Sequence, residues 1–298
     1  MRLKHNKNLL NLLFATATLL LVTACFCRSD RELDDANSES TSPAVNSVSS
    51  DPPTSNSNKT TGSKRSDEGD FIVEHLPVST PKYIELDNQV QNEKLLIKAA
   101  EKLNRSLSLP HDIFLRTKDC QETNAFYDPR DKSVTMCYEL MEHFYSTFRS
   151  AGDSDQEAYG KMFDAVKFVF LHEVGHALID TYSIPVAGNE EDAADRCAAY
   201  INLMELGPEG VRSVLAAADA FAIESKQRSN KPNMADEHLL QEQRFYNSLC
   251  MIYGSNPDKY SKLVSDGFLP KARAVRCAGE FQKSVDSWIR FLEPWRKR

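Results

Sequence analysis

The chain has 298 residues, a formal net charge of −7, and 41% hydrophobic against 27% charged residues. A mildly acidic chain without a stripe of Lys and Arg does not point to nucleic acid as a partner. Its length and apolar content support a folded domain with a substantial core.

Met1 to Lys7 carries Arg2, Lys4 and Lys7, and Leu9 to Val22 is an apolar run interrupted by Asn11 and small hydroxyl residues. This is a signal-peptide pattern over residues 1–24, too short for an ordinary membrane span. The run closes in Val22-Thr23-Ala24-Cys25, which resembles the bacterial lipobox. That resemblance implies cleavage before Cys25 and acylation of its thiol and new amino group. Several acyl chains on one residue anchor stably where one chain is marginal. Phe26, not Asp, follows the cysteine, and by the Gram-negative sorting rule this implies the outer membrane, on the periplasmic side of a bacterial cell envelope. A plain secretory signal with an incidental cysteine is the alternative. Residues 25–70 then read as the lipidated Cys25 and a tether. Arg28 to Asp70 is dominated by Ser, Thr, Asn, Asp and Pro, too polar to bury the surface that ordering needs.

Residues 71–298 read as one domain. Phe71 to Val78 and Asp112 to Thr117 are strand-like. Asn92 to Leu107 is helical, with Leu95, Leu96, Ala99 and Leu103 on one face. Thr123 to Glu139 carries two β-prone runs around the turn Pro129-Arg130-Asp131-Lys132, a hairpin signal. A helix around Glu139 to Phe148 follows, then a proline-free helix over Gln156 to Tyr182. From Glu190 the pattern is helical almost throughout, with Pro208 placed at a helix start, a polar loop over Gln227 to Asn233, and helical stretches at Ala235 to Tyr253, Pro257 to Val264 and Pro270 to Leu292.

The long helix contains His172-Glu173-Val174-Gly175-His176, the HExxH pattern. Residues i and i+4 share a helix face, so both imidazoles can hold one zinc ion from the same side. Glu173 is rotated by about 100° from His172, which suits a general base rather than a ligand. Met162, Phe163, Val166, Val169 and Phe170 form an apolar stripe leading into the motif. Gly175 inside a helix costs about 1 kcal/mol against alanine, so close approach of another backbone or of substrate is expected there. A third ligand is expected from Asn189-Glu190-Glu191-Asp192-Ala193-Ala194-Asp195, where Glu191 and Asp195 share a face. Glu190 and Asp192 are explained by the preference of acids for a helix N-terminus, with Asp192 the competing ligand.

This arrangement resembles the gluzincin, thermolysin-like metallopeptidases. The resemblance implies one zinc ion held by His172, His176 and Glu191, with Asp195 accepting the other ring N–H of a ligand histidine. Asn124-Ala125-Phe126 resembles the Asn-Ala-aromatic edge strand of those enzymes, so Asn124 and Ala125 would bind extended peptide by strand addition. A late histidine in that group stabilises the oxyanion, a role that would fall here to His238. From Phe71 to Arg298 the chain is similar to a family of bacterial metallopeptidases catalogued as a domain of unknown function. The similarity is carried by the Asn-Ala-Phe-Tyr hairpin, His172 to Asp180, Glu191 to Asp195, Gln243-Arg244-Phe245-Tyr246-Asn247 and Leu269-Pro270. The fold implied is α+β and zincin-like: a small, mostly antiparallel sheet, an active-site helix and a largely helical C-terminal half.

An exported domain can keep disulfides. Cys120 with Cys137, and Cys250 with Cys277, are candidate pairs, leaving Cys197 over. His75, His111 and His143 are read as surface or structural residues, and Arg296-Lys297-Arg298 as a solvated end. The function expected is a zinc-dependent peptidase anchored to the envelope, acting on a peptide or protein. The alternative is a non-catalytic binding lipoprotein with a structural zinc site. An intramembrane protease is disfavoured, because no second apolar stretch is long enough to span.

Overall fold

A computed structural model describes residues 66–227 and 236–297. The signal-peptide and Cys25 readings lie outside the described residues, as do most of the tether and most of the loop at 227–233. The last residues of the stretch read as tether are bound to the domain: the N–H groups of Glu68 and Gly69 donate to Leu109 O, and that of Asp70 to Asp112 Oδ1.

The fold is α+β, a four-stranded sheet beside a helical body. The strands are β1 (Phe71–Val73), β2 (Ile113–Lys118), β3 (Ala125–Asp128) and β4 (Ser133–Cys137). Their spatial order is β1-β2-β4-β3. The hairpin pairs β3 with β4 antiparallel, but β1–β2 and β2–β4 are parallel. The expectation of a mostly antiparallel sheet is therefore corrected to a mixed sheet with more parallel than antiparallel pairings. The reason lies in the connections. Between β1 and β2 the chain passes through α1 (Ile84–Glu93) and α2 (Leu95–Ser106), a crossover long enough to return in the same direction. All five residues of β4 are buried, whereas those of β3 are intermediate. A strand covered on both faces belongs inside a sheet, so β4 pairs on both sides and β3 is left as the edge.

The helical body is α3 (Tyr138–Ser150), α4 (Asp155–Tyr182), α5 (Glu190–Glu205), α6 (Gly207–Gln227), α7 (Gln241–Ser255), the short α8 (Lys262–Ser265) and α9 (Lys271–Leu292). Among the described residues no helix is long and apolar enough to cross a membrane. Helix α4 starts at a capping box, with Ser154 Oγ accepting from Glu157 N and the Glu157 side chain accepting from Ser154 N. It ends at Ser183 in the left-handed region, φ 50°, so the chain reverses and α5 packs back along it. Apolar residues surround α4 over most of its length, among them the fully buried Phe168, Phe170 and Leu178, as befits a helix packed on several sides. Its two histidines thus project from a helix buried along most of its length.

Cys120–Cys137 and Cys250–Cys277 are disulfides and Cys197 is free and buried, as the pairing expected. The first ties the loop before β3 to the end of β4, and the second joins α7 to α9. Of the C-terminal basic residues, Arg296 and Lys297 are each paired with the domain. Arg296 Nη2 donates to Tyr200 OH at 2.6 Å, and Lys297 Nζ pairs with Asp67 at 2.6 Å.

Candidate active site

His172 and His176 lie one turn apart on α4, and their Nε2 atoms are 3.2 Å from each other. Glu191, in the first turn of α5, faces both: Oε2 is 3.0 Å from His172 Nε2 and Oε1 is 3.4 Å from His176 Nε2. Helix α5 reaches this position because its N-cap Asn189 accepts from Asp192 N and because Gly175 lets it approach. A Cβ on Gly175 would lie 3.1 Å from Ala194 Cα and 3.1 Å from Cys197 Cβ. Of the two reasons expected for that glycine, close backbone approach is the one found.

Each ligand-type ring is held from behind. His172 Nδ1 is 2.9 Å from Asp195 Oδ1, and Asp195 accepts two hydrogen bonds from Arg244, at 2.8 and 2.7 Å. Arg244 is buried and lies over the Phe221 ring at 4.2 Å. His176 Nδ1 is 2.8 Å from Glu190 Oε1. Asp192 turns away, bonding Arg196 at 2.7 Å. Burial alone would lower the pKa of His172, but its hydrogen bonds with Asp195 and Glu191 outweigh this and raise it to about 9. Burial would raise that of Glu191, but the three imidazoles around it hold it well below the usual carboxylate range.

The third imidazole is His238, on the approach to α7. Its Nε2 is 2.9 Å from Glu191 Oε2, and its ring stacks on that of His172 at 5.9 Å. Asn189 Nδ2 donates to Glu237 O at 2.7 Å, tying this segment to the start of α5. His172, Glu191 and His238 offer ligand atoms all within 4.8 Å of one another.

Both ring nitrogens of His172 face carboxylate oxygens, so the ring needs either a second proton or a cation beyond Nε2. Ligand atoms at about 2.0–2.1 Å from one tetrahedral ion stand about 3.3 Å apart. Glu191 turns one oxygen toward each imidazole, Oε2 at 3.0 Å and Oε1 at 3.4 Å, and the two imidazole nitrogens stand 3.2 Å apart; these separations are close to that span, so the donor set fits a metal ion.

Glu173 projects into the cleft beside these groups. It is 6% exposed, and no hydrogen-bond partner for its carboxylate is present among the described residues. Burial raises its pKa. The cleft has a volume of about 930 Å³ and runs between α4, the loop before α7 and the edge strand β3.

The profile of a family described as "Putative metallopeptidase" (DUF4344) matches residues 75–292. The chain belongs to this family. No curated protein and no solved structure matches it. Every site residue named above lies within the part of the chain that the metallopeptidase family covers.

Asn124 and Ala125 also line this cleft, at the free edge of β3. Asn124 Oδ1 accepts from Ala125 N at 2.9 Å and Asn124 O from Cys137 N at 3.2 Å, fixing the start of the strand. Three groups at the site are not assigned there by the sequence reading. Glu190, explained by the helix dipole alone, holds His176. Arg244, placed on a helix but with no partner, anchors Asp195. His143, read as surface or structural, lines the cleft with its Nε2 3.0 Å from Glu224 Oε1. Glu190 stands directly before Glu191, a hint that both ends of the ligand pair could be served from one helix start. Arg244 falls in the Gln243 to Asn247 run that carries the family similarity, but neither it nor His143 has a local signal that names its partner.

Proposed function

We propose that this protein is a zinc-dependent peptidase that hydrolyses peptide bonds in its cleft, with His172, His176 and Glu191 holding one zinc ion and Glu173 as general base. The observation that carries it is the convergence of two imidazoles and a carboxylate, 3.0–3.4 Å apart, beside Glu173, whose carboxylate has no hydrogen-bond partner among the described residues. Two nitrogens and one carboxylate oxygen form a common catalytic zinc set. A zinc ion bound there would polarise the scissile carbonyl and acidify a water.

The chain's own residues do the rest. Glu173 Oε accepts the water proton and delivers it to the leaving amine. His238, a few ångströms from Glu191, donates to the oxyanion of the tetrahedral intermediate. Asp195, backed by Arg244, and Glu190 keep the His172 and His176 rings turned toward the zinc site. The edge of β3 at Ala125 takes the substrate backbone as an added strand, with Asn124 at its entrance. Cys25 carries the lipid that anchors the domain to the envelope through residues 26–70.

The contact of His238 with Glu191 supports a second reading. With His238 as a fourth ligand the site would be closed to water, as in structural zinc sites. Glu173→Gln separates the two. Metal content by mass spectrometry and peptide turnover are measured on the same zinc-loaded preparation. The peptidase reading expects metal retained and turnover lost. An unchanged rate in the variant rejects Glu173 as base, and absence of turnover in the parent favours the closed site.

A further inference from the structure

The cleft includes an apolar recess on the side of α3 and α6. Val169, one turn before Glu173 on α4, lines it together with Leu140 and Phe144 of α3 and Phe221 of α6. Glu224 stands one turn after Phe221 and brings a carboxylate to these walls, its side chain 14% exposed. Its Oε1 is 3.0 Å from His143 Nε2, and its Oε2 accepts from Gln241 Nε2 at 2.8 Å. A carboxylate accepts about four hydrogen bonds, so each oxygen keeps a lone pair. The described lining of the whole cleft holds seven carboxylates against one guanidinium and no lysine. That guanidinium, Arg244, is committed to Asp195 and the Phe221 ring. Protonation of His143 would balance Glu224 alone and leave the surrounding cleft acidic.

We propose that Glu224 makes this recess selective for a substrate side chain with an apolar stem and a cationic tip, lysine or arginine, adjacent to the bond that is cut. The proposal rests on the peptidase reading of the cleft. The methylenes of such a side chain bury against Leu140, Phe144, Val169 and Phe221. The tip reaches a free lone pair of Glu224, a charge-assisted hydrogen bond. An acidic side chain meets like charge, and an apolar one fills the walls without using the carboxylate. The acidic cleft also raises the local concentration of basic segments.

The test has a binding arm and a cleavage arm, both on the full-length zinc-loaded protein. In the first, Glu173→Gln binds labelled, end-blocked heptapeptides that differ only in a central lysine, norleucine or glutamate. The lysine peptide is expected to bind about tenfold tighter than the norleucine peptide, the size of one charge-assisted hydrogen bond. Adding Glu224→Gln is expected to abolish that advantage and leave norleucine binding within about twofold. In the second arm, the new ends that the parent protein makes in a mixed peptide library are sequenced by mass spectrometry, with lysine and arginine expected to be enriched on one side of the cut. Equal binding of lysine and norleucine peptides overturns the proposal, and that comparison needs no recess variant. A parallel loss of both in Glu224→Gln also overturns it, since a merely structural role predicts that. A lysine preference in binding, with no peptide cleaved, supports the recess selectivity and instead overturns the peptidase reading.

Discussion

A Cβ built on Gly175 would stand 3.1 Å from the Cα of Ala194. The helix that carries both candidate ligand histidines and the helix that carries Glu191 touch at this point, and their separation sets the distance between the donors. Gly175→Ala gains about 1 kcal/mol of helix propensity. It also forces a methyl against backbone and Cys197 in a packed interior, where overpacking costs about 1–3 kcal/mol. The expected outcome is a lower urea midpoint and weaker zinc binding. A raised midpoint with unchanged zinc affinity would show that the contact yields freely.

Glu191 and Asp192 are adjacent on α5 but face different partners. Glu191→Ala is expected to lose most bound zinc. Asp192→Ala is expected to keep it, because that carboxylate serves Arg196 at 2.7 Å. Metal stoichiometry after dialysis decides between them. His238→Ala belongs in the same measurement: a retained ion with slowed turnover fits its oxyanion role, whereas a lost ion fits a fourth ligand.

Arg244 and Asp195 form a buried ion pair behind His172. Arg244→Met leaves the Asp195 charge with only the imidazole for balance, and breaking such a pair typically costs about 3–5 kcal/mol. Asp195→Ala is expected to weaken zinc affinity by about 10–100-fold through loss of ring orientation. The double variant Asp195→Asn, Arg244→Met should be less destabilised than the sum of its singles, since neither charge is then stranded. Additive losses in denaturant titrations would mean that the two side chains act separately.

His143 has its pKa raised by the hydrogen bond with Glu224, against the opposing effect of burial. A histidine raised in the folded state stabilises fully below its unfolded value of about 6.5. It loses that contribution as pH rises through the folded value. The urea midpoint should therefore decline as the pH is taken upward from about 6.5, and His143→Gln should flatten that part of the profile. Equal slopes in both proteins would exclude this pair as the source.

Much of the candidate site is local and was legible from spacing. His172 and His176 share a face because they are four apart on one helix, and so do Glu191 and Asp195 on the next. The turn between them, Ser183 to Asn189, is short enough to bring the two helices side by side. The hairpin is legible in the same way, since two β-prone runs around a short turn can pair only antiparallel. The two disulfides, too, join segments whose candidate pairing the sequence proposed.

What spacing leaves open is whatever depends on how distant elements dock. Whether β2 pairs with β3 or β4, and in which direction, is decided by crossover length and by which strand is covered on both faces, and neither is a property of a strand's own periodicity. Arg244 reaches Asp195 across 49 residues and His143 reaches Glu224 across 81. A helical sequence assigns such side chains to a face of their own helix and says nothing of what that face will meet. The periodicity of the backbone therefore determined the faces that bear His172, His176 and Glu191. Only tertiary packing, through the close contact at Gly175 and the burial of the groups behind these side chains, decided which charges hold them and what the cleft beside them presents.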